Sequence, residues 1–262
     1  GCVSGTYMIN VTVNALPTPT FTAEPGATAC SATDVTYTTQ GGQFNYVWVV
    51  PGVLGIDYSI SSGGIGATDN TVTLQWLTIG SKTVTINYDN AAGCTAATAT
   101  SSIATTIDTA PSITGQPSSP ASVCSGAGIV TFTVAATGTS LTYAWEEYNG
   151  AIWSSLSDAG IYGGTTTSTL TLTNPTSAVN GYRYRSVVSG TCAPPATSDG
   201  LATLTIDTAP SITGQPSSPA SVCSGAGIVT FTVAATGTSL TYAWEEYNGA
   251  IWSSLSDAGI YV

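Results

Sequence analysis

Ile129-Val130-Thr131-Phe132-Thr133-Val134-Ala135-Ala136-Thr137-Gly138-Thr139-Ser140-Leu141-Thr142-Tyr143-Ala144-Trp145-Glu146 decides the fold. In its first half Val130, Phe132 and Val134 alternate with Thr131 and Thr133. In its second half Leu141, Tyr143 and Trp145 face one way, and Thr142, Ala144 and Glu146 face the other. Period-two alternation of apolar and hydroxyl side chains predicts strands with one buried face, here over Ile129–Ala135 and Leu141–Glu146. Thr137-Gly138-Thr139 between them is turn chemistry.

Working outward, the same signals recur at short intervals. Strands are predicted over Ser168–Thr173, Tyr182–Ser189 and Leu201–Ile206. Turns fall at Asn149-Gly150, Gly163-Gly164, Asn174-Pro175 and Asn180-Gly181. Upstream, Tyr46–Val49, Thr71–Trp76 and Lys82–Tyr88 read as strands, and Tyr7–Val13 as one more. No stretch carries a sustained helical period with caps. Short strands at this spacing predict an all-β chain of two-sheet sandwiches.

Residues 106–162 recur unchanged at 205–261, a period of 99 residues. A unit that long suits a sandwich domain rather than a solenoid repeat. The organisation expected is therefore 1–16, the last strand of a preceding domain; 17–108, one sandwich; 109–207, the repeat; and 208–262, an incomplete second copy. The chain reads as a window onto a longer array. Short proline-bearing joints recur at Asn14-Ala15-Leu16-Pro17, Asp108-Thr109-Ala110-Pro111 and Asp207-Thr208-Ala209-Pro210, where the fixed φ of proline stiffens the link.

Composition excludes several functions. The 262 residues hold 14 acidic and 3 basic side chains, no histidine, and a formal charge of −11. Phosphate neutralisation is out of reach, so nucleic acid is excluded as a partner. Without histidine there is no Ser-His-Asp or Cys-His catalysis. No apolar run is long enough to span a membrane in this segment. Polarity comes instead from 46 threonines and 31 serines.

Six cysteines stand at 2, 30, 94, 124, 192 and 223. Cys30 and Cys94 fall in one expected domain and Cys124 and Cys192 in the next. Cys223 repeats Cys124, which places its partner near position 291, outside the chain; Cys2 would close a preceding domain. Disulfides imply an oxidising, extracytoplasmic setting. A cysteine metal site is the rival, but no CxxC pair occurs.

Ser122-Val123-Cys124-Ser125-Gly126, Leu141-Thr142-Tyr143-Ala144-Trp145, Asn180-Gly181-Tyr182-Arg183-Tyr184-Arg185 and Ser189-Gly190-Thr191-Cys192 together resemble the immunoglobulin-like modules of giant type 9-secreted surface proteins of the Bacteroidota. These include the very large gliding-motility adhesins. Region 17–108 resembles the PKD-like modules of the same proteins, with Cys30, Trp48 and Cys94 as its marks. The resemblance implies tandem Ig-like and PKD-like β-sandwiches strung as beads. Many such modules carry a cysteine where this chain has Ser186, which makes Cys124–Cys192 the expected bridge, with Cys30–Cys94 its counterpart upstream. It also marks Thr109 and Thr208, in Asp-Thr-Ala, as O-glycan acceptors.

The remaining candidates have plainer readings. Trp48, Trp145 and its repeat Trp244 are expected in cores. Trp153 and Trp252 are candidate glycan contacts, although tryptophan is mostly buried. Glu146-Glu147 is the one paired carboxylate of the repeat unit; neighbours on a strand point to opposite faces, so the pair reads as a solvated strand end. Asp108 and Asp207 are candidate calcium ligands at the joints, but one carboxylate each falls short of six to eight oxygens. No other cofactor is expected.

The expected function is a non-catalytic spacer or stalk of a cell-surface adhesin or filament, extracellular, serving adhesion or gliding. Its partners would be other modules of the same chain, surface polysaccharide or neighbouring chains in a fibre. The alternatives are a glycan- or surface-binding module, or a linker of a secreted hydrolase.

Overall fold

Threonine-rich alternation produces strands almost throughout the computed structural model, which describes residues 5–225 and 227–257. The first ten strands are β1 (Phe21–Ala23), β2 (Thr28–Cys30), β3 (Asp34–Thr39), β4 (Phe44–Val49), β5 (Tyr58–Gly63), β6 (Thr71–Trp76), β7 (Gly80–Lys82), β8 (Thr85–Asp89), β9 (Thr100–Ser101) and β10 (Thr105–Asp108). They form three sheets, ordered β1-β3-β6-β5, β4-β8-β9 and β2-β10-β7. Within the third, β10 runs parallel to β2 and antiparallel to β7. Every second residue of β3, β6 and β8 turns inward. The inward set, including Tyr37, Trp48, Val72, Leu74, Trp76, Ile86 and Ile107, builds one core.

Twelve strands follow: β11 (Ser112–Gly115), β12 (Val123–Cys124), β13 (Ile129–Thr133), β14 (Ala135–Thr137), β15 (Thr142–Tyr148), β16 (Trp153–Ser155), β17 (Tyr162–Gly163), β18 (Thr169–Thr173), β19 (Arg183–Ser189), β20 (Ala196–Thr197), β21 (Ala202–Thr203) and β22 (Ile206–Asp207). β13, β18 and β17 form one sheet, and β16, β15 and β19 lie in another, with β21 against β19. Phe132 of the first sheet meets Tyr184 of the second with ring centroids 4.6 Å apart. Trp145 is fully buried; its Nε1 donates to the Thr167 carbonyl at 2.8 Å and its backbone NH to that of Thr165 at 3.1 Å.

By compactness the described residues divide into two units. Residues up to Thr114, with Ala136–Thr142 and Val188–Thr197, make the first; Gly115–Ala135, Tyr143–Val187 and the residues from Ser198 onward make the second. The grouping cuts across chain order because loops 136–142 and 188–197 are tied by hydrogen bonds and a disulfide to residues 30 and 109, as described below.

Four expectations change. Lys82–Tyr88 is not one strand: β7 ends at Lys82 and joins β10, while β8 begins at Thr85 and joins β4. Leu201–Ile206 likewise splits into β21, beside β19, and β22, which runs parallel to β12. In both runs the chain changes sheets at a buried residue, Val84 or Leu204, without breaking the alternation. Tyr7–Val13 forms no strand; Tyr7, Ile9, Val11 and Val13 are all exposed, because no described strand offers them a partner.

The fourth concerns the second copy. Its strands are β23 (Ser211–Gly214), β24 (Ala234–Thr236), β25 (Glu245–Tyr247) and β26 (Trp252–Ser254). Trp244 is 39% exposed and Phe231 53%, against 0% and 1% for Trp145 and Phe132 in identical sequence. The strands that cover Trp145 and Phe132, β17 to β19, have no counterpart among the described residues of the second copy. Trp244 is therefore not a core residue here.

Candidate functional site

The groups with functional character gather at the joint after β10. Parallel pairing sets Cys30 opposite Asp108, and the Ser31 NH donates to the Asp108 carbonyl at 2.8 Å. One residue on, Thr109 and Thr139 exchange two bonds: Thr139 NH to the Thr109 carbonyl at 3.2 Å, and Thr109 NH to Thr139 Oγ1 at 3.1 Å. The Thr139 carbonyl accepts from Thr191 NH at 3.0 Å, which brings Cys192 to Cys30. The two cysteines form a disulfide with Cα atoms 5.8 Å apart and 162 residues between them in sequence. Gly138 permits the close approach. Its φ is +144°, and a Cβ there would meet Leu141 Cδ2 at 2.8 Å and Pro111 Cα at 3.0 Å.

This pairing overturns both expected bridges, Cys30–Cys94 and Cys124–Cys192. Cys30 lies on the strand that pairs with the outgoing β10. Cys94 lies on the incoming side instead: its NH donates to Asn90 Oδ1, and Asn90 Nδ2 donates to the carbonyl of Ala15, in the joint before β1. The two belong to opposite ends of the strand path. Cys192 is taken by Cys30, so Cys94, Cys124 and Cys223 are thiols. Cys2 lies outside the described residues.

Trp48 is buried like Trp145, with Nε1 donating to the Asp69 carbonyl at 2.7 Å. Trp153 is half-buried rather than presented to a ligand. Arg185 stacks over it at 4.0 Å, Arg183 lies at 5.9 Å, and Tyr148 packs beside it at 5.3 Å. Trp252 has no such cover among the described residues and is 66% exposed beside Tyr247.

The Glu146-Glu147 reading also changes. Each carboxylate is half-buried and engaged on its own face: Glu146 accepts from Arg185 Nε at 2.6 Å, and Glu147 accepts from the Tyr162 hydroxyl. Burial, reinforced by Glu147, pushes the Tyr162 hydroxyl far above the ordinary phenol range; burial does the same for Tyr184. Asp158 moves the other way. Its Oδ1 accepts from Thr165 Oγ1 at 2.6 Å and from Thr165 NH at 2.8 Å, which holds its carboxyl below the usual range.

At the joints, Thr208 is exposed, whereas Thr109 is half-buried beside the disulfide. No group of three or more histidine, cysteine, aspartate or glutamate side chains gathers among the described residues, Asp108 and Asp207 included.

No protein-family model and no curated protein sequence matches this chain. Solved structures do. An I-band fragment of titin superposes with a TM-score of 0.55 at 14% identity, covering 94% of this chain and 83% of that one. The N-terminal eight Ig domains of the Down Syndrome Cell Adhesion Molecule superpose with a TM-score of 0.53 at 13% identity, over 73% of this chain and 25% of that one. Identity this low speaks to fold alone, and the fold is all-β, a tandem of Ig-like sandwiches.

Proposed function

We propose that the chain is a non-catalytic, load-bearing spacer in an extracellular array on a bacterial cell surface, holding an adhesive or motility-related end away from the cell. The observation that carries this reading is the joint. The short proline-bearing link after β10 is clasped, within one compact unit, by reciprocal threonine bonds and by Cys30–Cys192. A linker meant only to separate two activities needs none of these ties. The disulfide suits an oxidising compartment. The hydroxyl-rich surface with a net charge of −11 favours solubility over nonspecific adhesion. The engagement of Trp153 by two guanidinium groups favours the spacer over a glycan-binding module.

Gold-labelled antibody against this chain, applied to intact cells of the source organism, tests the reading. The expected result is label standing off the outer surface in strings or clusters. Label found only inside opened cells, or on a released enzyme, would overturn it.

A further inference from the structure

The second copy rebuilds the joint as far as Thr238. Cys124 on β12 lies opposite Asp207 of the parallel strand β22, as Cys30 lies opposite Asp108. The Ser125 NH donates to the Asp207 carbonyl at 2.7 Å, matching Ser31 to Asp108 at 2.8 Å. Thr238 NH donates to the Thr208 carbonyl at 3.0 Å, and Thr208 NH to Thr238 Oγ1 at 2.9 Å. Gly237 repeats Gly138, with φ of +145° and the same approach to Leu240 and Pro210. Every element that carries Cys192 to Cys30 is therefore present around Cys124, up to Thr238, the counterpart of Thr139. The element with no counterpart among the described residues is the Gly190-Thr191-Cys192 loop, whose threonine bonds Thr139 in the first joint.

We propose that Cys124 is the first half of a second inter-module staple, whose other half is the cysteine at the Cys192 place of a complete module following it. Cys94 fits the same rule from the other side. It occupies the incoming loop of its own sandwich and is tied through Asn90 to Ala15, whose place before Pro17 is that of Thr109 before Pro111. Each module thus offers one cysteine downstream, from the strand that pairs with the outgoing strand, and one upstream, from a loop at the incoming joint. The disulfides link module to module instead of closing each module on itself, and successive covalent loops overlap along the array. Forming a staple joins two thiols through one S–S bond. The two protons and two electrons released pass to an oxidising disulfide, which is reduced to two thiols.

The inference rests on the array reading above, and one experiment separates the two. The chain is extended after Tyr261 with the sequence of residues 163–207, which completes the second copy and supplies a cysteine 99 positions after Cys192. It is refolded with oxidised glutathione, and its disulfides are mapped on unreduced peptides. The expected map holds Cys30–Cys192 and a second bridge from Cys124 to the supplied cysteine, with alkylation of Cys124 lost. In the Cys124→Ser variant, the supplied cysteine becomes alkylatable and Cys30–Cys192 persists. Three results overturn the staple while leaving the array standing: a folded extension with Cys124 still alkylated, the supplied cysteine bridged to Cys223, or Cys124 bridging two chains. An extension whose amides stay unprotected from hydrogen exchange overturns both.

Discussion

Ser186 is fully buried on β19, and its hydroxyl has no hydrogen-bond partner among the described residues, although its backbone is well paired: its NH donates to Ser198 Oγ at 2.8 Å. A buried hydroxyl without a partner costs about 1–3 kcal/mol of desolvation. Ser186→Ala removes the polar atom and leaves the backbone bond in place. It is expected to raise stability by about 1 kcal/mol, read as a melting temperature higher by a few degrees; an unchanged or lower value sinks the account. Tyr162 and Tyr184 make a second case. Their folded pKa values lie above that of the unfolded phenol, near 10. Their protonated forms therefore stabilise the fold fully below about pH 10, and that contribution is lost as pH rises further. Tyrosinate absorbance should show these two ionising only together with loss of the folded circular-dichroism signal. Smooth titration of all 13 tyrosines in a folded chain contradicts it. At this scale the sequence was readable where one residue type does one job: Gly138, Gly150, Gly164, Asn174 and Gly181 all stand at expected turns, and all have positive φ. The partners of Glu146, Glu147 and Trp153 were not readable, since they come from β17 and β19, distant in sequence.

At the scale of elements, alternation located the core strands β4, β6, β13, β15, β18 and β19 to within a few residues, because each has one buried face. It failed where a strand changes sheets. Lys82 to Tyr88 keeps its period through Val84, yet its halves pair with β10 and β4. Side-chain alternation records burial and carries no information about which neighbour supplies the hydrogen bonds. The parallel pairing of β2 with β10 was invisible for the same reason, and it places Cys30. β10 is the middle strand of its sheet, and the Thr106 NH donates to the Ala27 carbonyl at 2.8 Å. Thr106→Pro removes that donor from a strand paired on both sides, where proline is poorly tolerated. Ala27 is exposed, so water can replace the lost donor, and the missing bond alone is expected to cost about 1 kcal/mol. Urea titration followed by emission from the buried Trp48 and Trp76 should show a lower midpoint. A midpoint equal to the parent's means the β2-β10-β7 sheet does not hold the first core closed.

For the whole molecule, the decisive feature is how the disulfide routes force. Two cysteines in each expected domain, together with the resemblance that implies Cys124–Cys192, suggest sandwiches each closed on itself. What sets the pairing is the end of the sandwich at which each thiol emerges, and that depends on parallel register and on the Thr109–Thr139–Thr191 relay across the joint. Under tension the covalent path runs from Cys30 straight to Cys192, so β3 to β19 lie outside it. The staple shields 162 residues of sequence separation, about 550 Å of extended chain at ~3.4 Å per residue. Pulling the oxidised chain by its two ends should release only the segments outside the staple. Adding a reductant should lengthen the fully unfolded chain by about 550 Å, in keeping with that geometry. Bridges closed within each sandwich, Cys30–Cys94 and Cys124–Cys192, would hide only about 450 Å between them. They would also give it back in two separate steps, one per module, as each bond is reduced. A single large increment supports a spacer whose covalent continuity runs between modules; two smaller ones would remove both the staple and the force path built on it.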